Sequence, residues 1–284
     1  MKCFKAQISL MLKRNSFTLA FTVMCIFSAL TFAVNCISHY GKYIIQVPAA
    51  NYMFIGAKHN NFIPYILMNI FPVISSLAFS DTFFEEKKAR TTEYCIMRIG
   101  NNKYFYSKLI AVFFSGFITV FVPLLLNIVL NLIAFPIDST IDYTNFPIAE
   151  SGVYGSMLNN LLILGDLLVF NEYLYIVVHA LIISLSSALM AVITFNLSFF
   201  YNKSRSKLLC AVFLLYHIIS IILNALNDLD LFNFSQFNFE SYLFAYEYSG
   251  GRSFSGLIIT WGLLIAAAVI PIPFSKRRLR NIYD

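Results

Sequence analysis

The chain has 284 residues, 59% of them apolar and only 12% charged, with 30 Phe and 17 Tyr. A soluble domain carries about 25% charged residues, so this composition excludes an ordinary water-soluble enzyme and predicts one polytopic membrane domain. The net charge of +6 does not indicate nucleic acid, because the basic residues cluster at the ends of apolar runs.

Met1–Asn15 places Phe4, Ile8, Met11 and Leu12 on one helical stripe flanked by Lys2, Lys5, Lys13 and Arg14. That pattern predicts an amphipathic helix lying on the inner membrane surface. Ser16–Ile37 has no charge and no small-residue cleavage site. It is too long for the core of a signal peptide and reads as the first span. His39–Asn61 reads as a short polar connection. Phe62–Ser80 is the second span, with Pro64 suited to its first turn and Pro72 expected to kink it.

Asp81–Lys108 is the longest charged segment of the chain, with Lys87, Lys88, Arg90, Arg98, Lys103 and Lys108 against Asp81, Glu85, Glu86 and Glu93. Its basic excess places it on the cytoplasmic side. Leu109–Ile133 is the third span, carrying Pro123, with Asn127 and Asn131 on one face. Ala134–Glu172 is an acidic outer loop without Lys or Arg. Its stretch Leu158–Phe170 is too short and too polar to span, so it is expected to lie as a helix at the outer interface. Tyr173–Leu197 is the fourth span, Ser198–Lys207 a tight basic loop and Leu208–Leu226 the fifth span. Asn227–Ser255 is an acidic, aromatic outer loop suited to an interfacial belt or a re-entrant pair of short helices. Gly256–Phe274 is the sixth span, and the basic run Lys276–Arg280 closes the chain.

The expected fold is therefore all-α: six transmembrane helices, an N-terminal interface helix and a cytoplasmic helix between spans two and three. All but three of the 20 Lys and Arg residues (Lys42, Lys58 and Arg252) fall on the inner side, and most of the 14 acids fall outside. Both termini are expected in the cytoplasm, with the protein in the plasma membrane.

Little in the chain suggests chemistry of its own. No GxxxxGKS/T phosphate loop is present. The stretch Tyr248–Arg252 looks faintly like an ABC signature loop but reads as a Gly-containing turn. Cys3, Cys25, Cys36, Cys95 and Cys210 show neither CxxC pairing nor a His at ligand spacing, so they read as small apolar fillers, with no metal site. Glu85-Glu86-Lys87-Lys88-Ala89-Arg90 matches the EExxxR motif of CAAX-type intramembrane proteases, and Phe213–His217 matches their FxxxH. Such enzymes need those groups to converge inside the membrane. The third motif is absent, since Ile221 and Ile183 stand four residues after His217 and His179. No acid or base is expected mid-span, which counts against a proton- or sodium-coupled transporter. His179, His217, Asn69, Asn127 and Asn131 read as interhelical hydrogen bonds or as the lining of a polar path.

Glu85–Ile99 is rich in helix formers, and Glu86–Arg90 is a favourable i, i+4 pair. Gly100 then stops the helix and Asn101-Asn102 can cap the next. Here the chain resembles the permease subunits of ABC exporters of the type-two class. That family has six spans, an interface helix before the first, and a coupling helix between spans two and three. Glu86, Thr91-Thr92, Gly100, Tyr104 and Lys108 stand where the family carries its glutamate, threonine, turn, aromatic and lysine. The family commonly has Pro near the turn, where this chain has Gly100-Asn101. The resemblance implies coupling residues Glu85, Glu86, Arg90, Thr91, Thr92, Tyr94, Arg98, Gly100, Tyr104 and Lys108. It also implies a separate ATPase in two copies that binds the ATP and Mg, and a second permease chain, identical or homologous. This chain itself then binds no cofactor and catalyses nothing. An amphipathic peptide, lipid or drug would pass between the two permeases. The alternatives from other classes are an intramembrane protease using Glu85, Glu86 and His217, and a non-catalytic scaffold or immunity protein.

Overall fold

The computed structural model describes residues 2–57, 62–137, 164–201, 204–227, 234–246 and 253–283. Its helices are α1 (Lys2–Leu12), α2 (Asn15–His39), α3 (Phe62–Leu77), α4 (Thr82–Lys88), α5 (Thr91–Ile99), α6 (Asn101–Ala134), α7 (Gly165–Phe170), α8 (Glu172–Ser198), α9 (Arg205–Asn227), α10 (Phe254–Val269) and α11 (Pro271–Tyr283). The described residues contain no strand. Among the described residues, five helical stretches are long and apolar enough to cross a membrane, or up to six if α3 and α4 count as one broken span. The protein is thus an all-α polytopic membrane protein.

Several expected elements change shape. The second span bends by 41° between α3 and α4. The break falls at residues 78–81, while Pro72 stays within a continuous α3. Ser75 and Ser76 donate to the carbonyls of Phe71 and Pro72, four residues back, and Ser80 donates to that of Ser76. Such back-bonding hydroxyls compete with the backbone ladder and bend helices. The third span begins much earlier than expected, because α6 runs unbroken from Asn101 to Ala134. The sixth apolar run divides near Ile270, and its basic end belongs to α11. Of the expected outer helix Leu158–Phe170, the described part holds α7, whose Leu168 is buried; its earlier residues lie outside the described ones.

The centre of the molecule is the α6–α8 crossing. Water drives nothing together inside a bilayer, so close backbone approach and interhelical hydrogen bonds have to hold spans together. Gly116 meets α8 where Ser187, Ala188 and Ala191 face it. A Cβ on Gly116 would lie 2.9 Å from the Ala191 Cβ and 3.0 Å from the Ala188 Cα. The Ser187 hydroxyl reaches the Gly116 carbonyl at 2.9 Å and the Ser75 hydroxyl at 2.8 Å, so α3 joins the same knot. Ser76 and Thr194 add a second α3–α8 contact at 2.7 Å.

The segment between spans one and two corrects the sequence expectation. It is not a plain polar connection. From Val47 to Ala57 it folds into the bundle through the short 3₁₀ turn Ala50–Met53, burying Asn51, Phe54 and Ile55, while the turn before it, Ile44–Gln46, leaves Ile44 and Gln46 exposed. Its backbone polar groups are satisfied from several elements, as burial requires. The Asn127 Oδ1 accepts from the Ile55 amide at 2.9 Å, and the Asn35 amide donates to the Met53 carbonyl at 2.8 Å. Gly56 and Ala57 carbonyls accept from the Ala245 and Tyr246 amides at 2.7 and 2.9 Å. The described part of the aromatic loop before span six folds inward: Tyr242 to Tyr246 are buried, and the Tyr175 hydroxyl donates to the Ala245 carbonyl at 2.7 Å.

Gly116→Val should lower stability by about 1–3 kcal/mol through overpacking at this crossing. Thermal unfolding in detergent, followed by far-UV circular dichroism, will read it as a lower melting temperature.

Candidate coupling surface

The charged loop forms a helical hairpin. The expected single helix Glu85–Ile99 is two helices, because the chain turns at Ala89-Arg90. Arg90 sits in the left-handed region at φ 57°, ψ 20°. A helix cannot continue through that conformation, so the expected i, i+4 pair of Glu86 with Arg90 does not form within one helix. Gly100, at φ 86°, makes the next turn and its amide closes on the Ile96 carbonyl at 2.7 Å. This is a conformation glycine adopts without a Cβ penalty.

Glu86 is spent on α6 instead. Its Oε2 lies 2.5 Å from the Lys108 Nζ and accepts from the Tyr104 hydroxyl at 2.5 Å. The Lys108 ammonium also donates to the Tyr104 oxygen at 3.0 Å. Lys108, which ends the charged segment of the sequence, is fully buried. Burying an ammonium is strongly unfavourable unless it is paired and hydrogen-bonded, and the three side chains meet that demand as a closed cluster.

A second cluster fastens the other side of α4. Arg14, at the α1–α2 joint, places Nη2 3.0 Å from Asp81 and 2.6 Å from Glu85, and its guanidinium stands over the Phe79 ring at 5.7 Å. Asp81 is fully buried. Neither Arg14 nor Asp81 stood out in the sequence as more than a flanking charge.

The ten residues of the expected coupling set therefore divide by direction. Glu86, Thr92, Tyr104 and Lys108 face inward, and Glu85 bonds Arg14 from a half-exposed position. Thr91 is exposed and its hydroxyl donates to the Glu86 carbonyl at 3.3 Å across the turn. Arg90, Tyr94 and Arg98 face outward, with Tyr94 74% exposed and the neighbouring Met97 84% exposed. Cys95 and Ile96 turn inward against the core. Burial, and after it the Glu86 carboxylate, pushes the Cys95 thiol above its usual range, with Lys108 pulling it partly back.

The five residues read as interhelical hydrogen bonds or polar-path lining fall into separate groups of contacts. Asn127 ties α6 to α2, donating to the Ser28 carbonyl at 2.9 Å while accepting from Ile55; Asn131 donates back to the Asn127 carbonyl at 2.8 Å. His179 is buried beside Tyr175, ring centroids 6.1 Å apart. His217 and Asn69 do meet: the imidazole Nε2 lies 3.2 Å from the Asn69 carbonyl. An acid of the loop before span six also meets His217, Glu240 lying 3.6 Å from its Nδ1. Glu86 and His217 thus have separate partners, and the described residues hold no group of three or more His, Cys, Asp or Glu that could bind a metal.

Removing one partner of a buried charge is far worse than removing both. Glu86→Gln should cost about 3 kcal/mol, and Glu86→Gln combined with Lys108→Met should recover most of it. Denaturant titration of the purified variants checks the order. A raised thiol pKa leaves little thiolate at neutral pH. Maleimide should therefore alkylate Cys95 more slowly than a cysteine at the exposed position in Met97→Cys, and the Cys95 rate should still climb above pH ~8.5, the usual cysteine pKa.

No family model, no curated protein and no solved structure matches this chain.

Proposed function

We propose that this chain is the membrane-spanning permease subunit of an ATP-driven exporter of the ABC type, lodged in the plasma membrane with both termini in the cytoplasm. A separate ATPase, in two copies, docks on the α4–α5 hairpin and supplies the ATP chemistry. Two permease chains, identical or homologous, enclose the path of an amphipathic peptide, lipid or drug.

The observation that carries this reading is the way the hairpin is mounted. Its inner side is bolted to α6 through Glu86, Tyr104 and Lys108 and to the α1–α2 joint through Arg14. Its outer side presents Tyr94 and Met97 to water, with Arg90, Glu93 and Arg98 exposed alongside. Exposed aromatic and apolar anchors ringed by charges are the usual make-up of a protein-binding hot spot. A push on α5 is transmitted through short ion pairs rather than through a slack loop. The protease reading is served less well, since Glu86 is engaged with Lys108 and His217 with Glu240.

A mild-detergent purification from the native membrane should bring down a soluble subunit containing GxxxxGKS/T. Tyr94→Ala with Met97→Asp should cut its recovery by about tenfold or more, as loss of hot-spot anchors does, while the permease still reaches the membrane. Full retention of the ATPase by that variant removes α5 as the docking helix. No ATPase with the unaltered chain, even after amine-reactive crosslinking in the native membrane, removes the permease reading.

A further inference from the structure

Away from the hairpin, α8, α9 and α10 enclose a cavity of about 440 Å³. That volume falls in the range of small-molecule sites, about 300–1,000 Å³. Its wall is almost wholly apolar: Met190 and Ile193 from α8, Val212 and Ile219 from α9, Leu263 and Leu264 from α10. The aromatic loop closes one end with Phe237, Asn238 and Phe239.

Three features define the occupant. The first is the entrance. Leu215, Ile219 and Leu263 line the cavity and are also 50%, 57% and 62% exposed, so it opens sideways between α9 and α10. These are membrane-crossing helices, so the medium at that mouth is hydrocarbon. The second is length. On α9 the lining runs from Val212 to Leu223, a rise of roughly 16 Å at 1.5 Å per residue. That is about half of the ~30 Å hydrocarbon core, the depth of one leaflet. The third is a polar cluster where α9 meets the aromatic loop. Ser220 and Asn238 hydrogen-bond each other at 3.0 Å, Ser220 reaches Glu240 at 2.9 Å, and Asn238 reaches Asn224 at 3.2 Å. Within the wall, the buried Tyr216 hydroxyl has no hydrogen-bond partner among the described residues.

We infer that this cavity is a binding site for one acyl chain of a bilayer lipid, entering between α9 and α10 with its polar end at the Ser220–Asn238–Glu240 cluster. The chain fills the space that α8, α9 and α10 leave between them and props the aromatic loop. This site is independent of any ATPase.

The test is photolabelling in phosphatidylcholine vesicles doped with a phosphatidylcholine that carries a diazirine midway along one acyl chain, with labelled peptides identified by mass spectrometry. The cavity peptides Val212–Leu223 and Thr260–Ala267 should be labelled about tenfold more, per residue, than the lipid-exposed face of α2 around Leu19, Ile26 and Leu30. Thr260→Phe, which fills the cavity from a buried wall position, should abolish that excess and leave α2 labelling unchanged. Equal labelling of the cavity and α2 in the unaltered protein overturns the inference, and that comparison does not depend on any variant folding. An excess that survives Thr260→Phe in protein with unaltered circular dichroism overturns it as well.

Discussion

A fully buried ammonium governs the end of this molecule that carries the α4–α5 hairpin. Lys108 has left water entirely, and its charge is met by Glu86 and by the Tyr104 hydroxyl. Desolvating a charge is tolerable only with a partner in close contact. Glu86 must therefore stand beside α6, which brings α4 there with it. The 41° break between α3 and α4 is what allows that approach. With α4 placed, the left-handed turn at Arg90 sends α5 back along it, and Gly100 returns the chain to α6. Arg14 answers Asp81 and Glu85 from the opposite side, so the hairpin is held at both flanks.

The membrane half follows a different physics. Inside lipid, burying apolar side chains gains little, so small residues and hydrogen bonds must hold the spans. Gly116 with Ser187, Ala188 and Ala191 lets two backbones touch, and Asn127 and Asn196 reach across to carbonyls of other helices. The same need explains how irregular backbone can lie within the bundle. The segments around Gly56 and Ala245 pair with each other and with side chains of the spans, leaving few backbone groups to seek water.

These two regimes meet along α6 and α8. The two helices run the length of the bundle and touch the hairpin at one end and the inserted loops at the other. Packed helices, rather than a flexible connection, therefore lie between the hairpin and the loop segment around Ala245. The cavity between α8, α9 and α10 lies beside this column, and the His217–Glu240 contact sits at its edge. An apolar space and a polar cluster in one place suit an amphipathic molecule.

The sequence by itself determined the all-α, apolar class of molecule and the helical character of its charged segment between α3 and α6. Those properties are local: hydropathy, charge and helix signals sit in consecutive residues. Tertiary structure alone decided which charges pair. Glu86 was legible as part of a local pair with Arg90, but its partners are 18 and 22 positions along the chain, on α6. Glu240 was legible as one acid of an outer loop, and only the inward fold of that loop brings it to His217. Residues 47–57 carried no repeating pattern that marked them as buried, since a 3₁₀ turn and irregular chain packed among helices obey no single period. Such placements depend on contacts between distant segments, and an isolated sequence contains no local signal for them.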